Sequence, residues 1–298
     1  MKNLTNLINV IIILTLIIGC ERSANDLDTE IKNRFSLVID DSITYNSNAI
    51  DFYDFSSHLI YLKPDNNFSY SNRGAFSVLV DDEEIYTGQM FPMHSSHFPT
   101  GALIPCAPTF YNDYIIPVEF NQIVDTNGSS NDDPRNDSRI IEALKKNNQY
   151  KRGFSSEIIS VQKTSDNKVK ITIELINRDS DNLLFLDPDK MGLELFHYFT
   201  NGLIIKDSQN NSYTHNLTVE KPDPWDSWEA DWLTVIDGNE AKTISLIYDD
   251  FDILPAGEYT ALFNYPGLKS QIEKEELQQN NGRIWLGELN NTKTIDIE

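Results

Sequence analysis

Cysteine is scarce: Cys20 and Cys106 are the only two in 298 residues. At most one internal disulfide can therefore brace the chain, so its stability has to come from packing or from metal. Basic residues are also few, 24 Lys and Arg against 46 Asp and Glu, for a formal charge of -22. So acidic a surface repels a polyphosphate backbone, which excludes nucleic acid as a natural partner and tolerates divalent cations or cationic partners better. No apolar run approaches the roughly 20 residues of a membrane-crossing helix. Glycine-rich phosphate loops, paired CxxC units, serine elbows and zinc-protease helices are all missing, which weakens the enzyme class without eliminating it.

What is present is enough to fold. Apolar residues make up 40% of the chain and aromatics 11%, so a packed core is expected rather than a disordered chain.

The first residues carry an address. Lys2 is followed by the short apolar run Val10 to Ile18, broken only by Thr15, and then by Gly19 and Cys20. A charged start, a short greasy core and a small residue before the cleavage point are the parts of a secretory signal, which is set aside from fold reasoning. Ile17-Ile18-Gly19-Cys20 resembles the lipobox of bacterial lipoproteins. That resemblance implies a signal peptide over residues 1–19, cleavage before Cys20, and fatty acyl groups, palmitate among them, anchoring Cys20 to a membrane. Glu21 departs from the aspartate that retains some such lipoproteins at the inner membrane, so the expected location is the cell envelope at the outer membrane. Residues 20–33, charged and small, read as a flexible tether. With Cys20 acylated, Cys106 has no partner for a disulfide.

Short β-branched and aromatic runs separated by polar turns dominate the rest. Residues 34–150 read as a smaller β-rich domain of unknown type. "FSVLVDDEEIYTG" predicts a strand, a turn at Asp81 to Glu84 and a returning strand, and "YIIPVEF" predicts an edge strand because Pro117 interrupts it. Pro92, Pro99, Pro105 and Pro108 predict that residues 91–108 form a long structured loop. "DSRIIEALKK" predicts a short linking helix capped by Asp137 or Ser138, with Ile140, Ile141 and Leu144 as its apolar stripe.

Residues 151–298 alternate more plainly. The strand Val169 to Asn177, the stretch Leu254-Pro255-Ala256-Gly257-Glu258-Tyr259 that opens another strand, and a closing hairpin expected around Asn290 and Asn291 resemble an immunoglobulin-like domain of secreted bacterial proteins. The resemblance implies an antiparallel β-sandwich, here with a helical insertion near residues 268–280. It implies adhesion, scaffolding or ligand display as readily as chemistry, so it supplies no reaction.

Four stretches carry residue types suited to a site. His94, His97 and Cys106 offer imidazole and thiol ligands for zinc. Local hydrogen bonds in the loop and a buried small cysteine are the ordinary reading, and a Cys106 nucleophile is the least favoured. Asp125, Asn127, Asp132 and Asp133 offer oxygen ligands for calcium, although Ser130 and Asn136 stand where a calcium hand needs Gly and Glu, and a solvated linker is the ordinary reading. Trp225, Trp228 and Trp232, spaced three and four apart among carboxylates, predict one face of a helical turn. That face either packs on the sandwich or meets a glycan or an envelope protein. His197 lies in "FHYFTNG", read as a half-buried strand. The whole reads as a lipid-anchored, non-enzymatic binding or structural protein. The alternative is an exported hydrolase acting on glycan or peptide, with a site near residues 91–108 and the domain junction.

Overall fold

A computed structural model describes residues 34–92, 99–106, 111–121 and 132–298. Cys20, His94, His97, Asp125 and Asn127 lie outside the described residues, as do the signal and the tether. The protein is mostly β, built from stacked sheets.

In the first half, β1 (Phe35–Ile39) and β5 (Ala75–Val80) alternate strictly, burying Phe35, Leu37 and Ile39 on one strand and Phe76, Val78 and Val80 on the other. That period of two is what a sheet with one covered face requires. With β2 (Ile43–Asn46), β6 (Glu83–Phe91), β7 (Gly101–Pro105) and β9 (Glu119–Asn121) they form a six-stranded sheet in the order β2-β1-β5-β6-β7-β9. A second sheet has the order β10-β3-β4-β8 and uses β3 (Ile50–Asp54), β4 (Leu59–Leu62), β8 (Ile115–Pro117) and β10 (Tyr150–Lys151). All four residues of β4 are buried, as expected of a strand covered on both faces.

The β5-β6 hairpin turns at Asp81 and Asp82, and β8 stands at a sheet edge with Pro117 as its last residue. The helix Ser138–Lys146 forms where its sequence predicts, with Ala143 rather than Ile141 completing its buried stripe. The Arg139 N–H donates to the Asp137 carboxylate at 2.9 Å, and Ile140, Ala143 and Leu144 face the core.

The expected loop over residues 91–108 is corrected in part. Residues 101–105 are an interior strand, β7, parallel to β6 and antiparallel to β9. Proline is tolerated because Pro105 ends the strand, and the next N–H, that of Cys106, donates to Phe91 O at 2.7 Å.

The second half is an immunoglobulin-type sandwich with one end elaborated. One sheet is β11 (Phe154–Ser165), β12 (Lys168–Asn177) and β17 (Ala241–Tyr248), the counterparts of strands A, B and E. The other is β15 (Ser212–Tyr213), β14 (Leu203–Lys206), β18 (Gly257–Pro266) and β21 (Glu288–Ile297), the counterparts of C′, C, F and G. Lys293 on β21 donates to the carbonyls of Ile158 and Ile159 on β11, closing the sandwich along one seam.

Three connections at one end then combine. β13 (Leu183–Leu186) from the B–C connection, β16 (Leu233–Ile236) from the one before strand E, and β19 (Gln278–Gln279) with β20 (Gly282–Ile284) from the F–G connection make a fifth sheet, ordered β16-β13-β20-β19. Where the β12-β17 ladder gives way to β13-β16, the fully buried Asn177 amide donates to the carbonyls of Asp181, Ile236 and Asp237, so the break leaves few backbone groups unpaired.

Further expectations are corrected here. β21 runs straight through Asn290 and Asn291 instead of turning there, because the buried Asn291 amide is satisfied by Ser156 Oγ at 2.7 Å. The only helical element in residues 268–280 is the 3-10 turn Lys274–Glu276, the short strand β19 follows it, and Leu268, Ile272 and Leu277 are buried rather than displayed. His197 ends a helical turn, Leu193–Phe196, rather than sitting on a strand.

Candidate functional site

The two halves meet without a linker, since β10 ends at Lys151 and β11 begins at Phe154. Gly153 sits between them at φ 65°, and a Cβ there would lie 2.4 Å from the Asp54 carboxylate and 2.1 Å from Ser56 Oγ. Only glycine fits this approach.

At the same junction the buried Arg283 guanidinium donates from Nη2 to Asp54 at 2.9 Å and more weakly to Asp179 at 3.5 Å. It lies over the rings of Phe52 and Tyr61, 4.8 and 5.7 Å from their centroids. Burial alone would lower the Arg283 pKa, but Asp54, then Tyr61 and Asp179, outweigh it and hold the guanidinium above its ordinary value. The Trp285 indole N–H donates to Ser56 Oγ at 2.9 Å, and Tyr111 and Tyr114 hydroxyls donate to the carbonyls of Leu286 and Ile272. The F–G connection is thus the element that docks the second half onto the first.

The outer side of that connection borders open space. One cleft of about 850 Å³ is lined by Trp225, Tyr198, Asn201, Asn264 and Asn290 among others. The three tryptophans do not share a helical face, which corrects that expectation. Trp232 is 9% exposed and packs edge-on against Phe199 at 6.0 Å, Trp228 is partly buried against the core, and Trp225 is 64% exposed. The inner two hold the segment and the outer one is presented. Tyr198 Oη donates to Trp225 O at 2.9 Å, and Ser270 Oγ donates to Asp226 O at 2.9 Å, so the backbone under the exposed indole is pinned from two sides. Asn264 Nδ2 donates to Asn290 Oδ1 at 3.0 Å on the cleft wall.

A second cleft of about 650 Å³ opens at the domain junction between Ser57, His58 and Phe120 of the first half and Glu288 to Asn290 of the second. Lys269, Glu288 and Asn290 line both clefts. Lys269 Nζ is paired with the Glu288 carboxylate between them. Partial burial and then the neighbouring Glu288 charge raise the Glu119 carboxyl above its ordinary range, with Lys269 opposing them. Arg135, over the Phe120 ring at 5.7 Å, is held by Asp133 at 2.6 Å and by the Val118 carbonyl.

Beneath the Trp225 cleft lies a histidine cluster. His197 Nε2 shares a hydrogen bond with Tyr248 Oη at 3.1 Å, and the His215 ring stacks on Tyr248 at 4.9 Å and meets His197 at 4.3 Å. Burial, and then the neighbouring His215, push His197 down to about 3, so both groups of the His197-Tyr248 pair are neutral. Burial also lowers His215, against a hydrogen bond with the Asn201 backbone, and raises Tyr248. Gly202 closes over the cluster at φ 68°, where a Cβ would fall 2.1 Å from the His197 ring.

Of the other expected site residues, Cys106, Asp132 and Asp133 are among the described ones. The Cys106 thiol donates to the Asn72 carbonyl at 3.3 Å, and burial raises its pKa against the influence of Arg73, the direction that favours the neutral thiol. Asp133, expected among calcium ligands, accepts from the backbone and the guanidinium of Arg135. The Arg135 hydrogen bonds and charge outweigh burial and hold its pKa below the usual value. Asp132 is exposed beside it. Among the described residues no three His, Cys, Asp or Glu side chains are grouped to hold a metal ion. Tyr198, Asn264, Lys269 and Glu288 escape sequence reasoning because they come from four separate connections and strands. Glu288 and Asn290 face outward on β21, but the inward series Leu289, Asn291, Lys293 and Ile295 is half polar, so no hydrophobic alternation announces it.

No protein-family model and no curated protein matches the chain. Among solved structures it is similar to a beta-glucosidase from Kluyveromyces marxianus in complex with glucose, at 13% identity over 49% of this chain and 14% of that one, with a TM-score of 0.21. The chain thus matches about one seventh of that enzyme's length, and a likeness so slight establishes neither fold nor activity.

Proposed function

We propose that this protein is a lipid-tethered component of the cell envelope, held at the outer membrane through Cys20, that binds a glycan without transforming it. The observation that carries the reading is Trp225: an indole left 64% exposed above a cleft walled by asparagine amides. Apolar sugar faces stack on such a ring while side-chain amides bond the hydroxyls, the pairing of an aromatic body with fixed polar groups that small-ligand sites use. The lipobox at residues 17–20 supports the tether, and the charge of -22 opposes a nucleic-acid ligand.

The purified full chain is tested on an array of soluble glycans alongside Trp225→Ala. Retention of at least one glycan by the parent, lost in the variant, supports the reading; a silent array sinks it. Cys20→Ala is expected to abolish labelling by radioactive palmitate, and unchanged membrane fractionation would refute the tether.

One observation favours the hydrolase alternative. Glu119 and Glu288 line the same junction cleft, and the Glu119 carboxyl pKa is raised by desolvation and by the Glu288 charge, the direction a general acid needs. Release of reducing ends from a retained glycan, abolished in Glu119→Gln, would establish that reading over simple binding.

A further inference from the structure

We infer that the ligand is an uncharged polysaccharide chain lying through both clefts, so that the two halves of the protein read successive stretches of one polymer. This rests on the glycan-binding reading of the Trp225 cleft. The clefts are neighbours around a common wall, because Lys269, Glu288 and Asn290 border both. Each has a volume in the range of about 300 to 1,000 Å³ that by itself suits one small ligand. Two such spaces meeting at a shared wall suit a ligand longer than either. Each also has aromatic lining, with the exposed Trp225 beside Tyr198 and Phe199 in the first and the half-buried Phe120 beside Tyr111 in the second.

The charge pattern sets the class of polymer. The two lysine and arginine side chains lining these clefts are both committed, Lys269 to Glu288 and Arg135 to Asp133. Burial, then the Arg135 charge, lowers His58 to about 4, so that imidazole adds no positive charge near neutral pH. The acidic protein repels an anionic chain at long range, and the clefts offer it no unpaired Lys or Arg at short range. A neutral chain meets neither obstacle, and the amides of Asn201, Asn264 and Asn290 can serve its hydroxyls. Ser57, His58 and Phe120 belong to the first half of the protein and Lys269, Glu288 and Asn290 to the second, so a ligand spanning both clefts also clamps the halves together.

Calorimetric titration of the full chain with malto-, cello- and chito-oligosaccharides, from disaccharide to hexasaccharide, tests this. In the series that binds, affinity is expected to rise about tenfold or more between the shortest and longest members, as a second cleft is filled. Phe120→Ala is expected to erase that gain while leaving disaccharide affinity unchanged, and the retained affinity itself reports a folded variant. Phe120→Leu, which keeps the buried volume, loses the gain if the ring face contacts sugar. Trp225→Ala weakens short and long members alike.

Equal affinity at all lengths, or a length gain indifferent to both Phe120 variants, overturns the spanning ligand and leaves the Trp225 site standing. If no series binds and Trp225→Ala changes nothing, the glycan reading itself falls. Tighter binding of a uronic-acid oligomer than of the neutral chains overturns the charge argument alone.

Discussion

The F–G connection, residues 267–287, has an inner and an outer side of opposite character. Inside, at the domain junction, Arg283 is buried between two carboxylates and two aromatic rings. Outside, bordering the same connection, an indole stands in solvent above neutral amides. The usual placement is the reverse, charges out and aromatics in. The inversion teaches that the two sides do different work. A charge cluster inside a junction penalises every arrangement that unpairs it, whereas an exposed indole contributes little to the fold and is free for a ligand.

The largest expected effect lies inside. Arg283→Ala leaves Asp54 and Asp179 buried without their counter-charge, and the loss is expected at about 3–5 kcal/mol in urea unfolding. A loss below about 1 kcal/mol would mean that the junction is held by packing alone, and the contrast between the two sides would disappear. Next comes Gly202→Ala, which forces a side chain into a left-handed backbone and against His197. It is expected to cost roughly 1–3 kcal/mol, read from the same transition, and an unchanged midpoint would show that the histidine cluster yields easily.

The third test is acid. Burial lowers His197 to about 3 and His58 to about 4 from an ordinary 6.5. Between pH 6.5 and those values the unfolded chain takes up protons that the folded one refuses. Stability is therefore full above about pH 6.5 and falls as pH drops through that window, by at most about 1.4 kcal/mol per pH unit for each histidine. Urea unfolding at stepped pH checks the slope, and His197→Gln is expected to flatten part of it. A slope equal to the parent's would remove His197 from the account.

The smallest stability effect lies outside: Trp225→Ala is expected to move the unfolding free energy by less than about 0.5 kcal/mol while abolishing glycan retention. A large destabilisation would make Trp225 a packing residue and collapse the comparison.

How much of this was legible in sequence follows the range of the interactions. The strand Val169 to Leu175 and the helix capped by Asp137 were readable because period and cap are local. β7 was not, because the prolines around it argued for a loop and only its partners β6 and β9 make it a strand. The turn wrongly expected at Asn290 and Asn291 was a fair reading of two turn-prone residues. Ser156, 135 positions away, is what settles Asn291 in a strand. Arg283 reaches Asp54 and Asp179 across 229 and 104 positions, a pairing that no spacing announces. The tryptophan stretch was half legible: its composition marked a place of interest, but only the packing of Trp232 on Phe199 sorts the holders from the presented ring.

That sorting gives the molecule its own optical reporters. Of the four tryptophans, Trp285 is 1% exposed and bonded across the junction, while Trp225 stands in solvent. Their fluorescence differs in colour and in access to a quencher such as acrylamide. Parting of the two halves without unfolding would wet Trp285 and shift its emission to the red. A sugar seated on Trp225 would shield that ring and shift emission to the blue, so one spectrum distinguishes a protein coming apart from a protein taking hold.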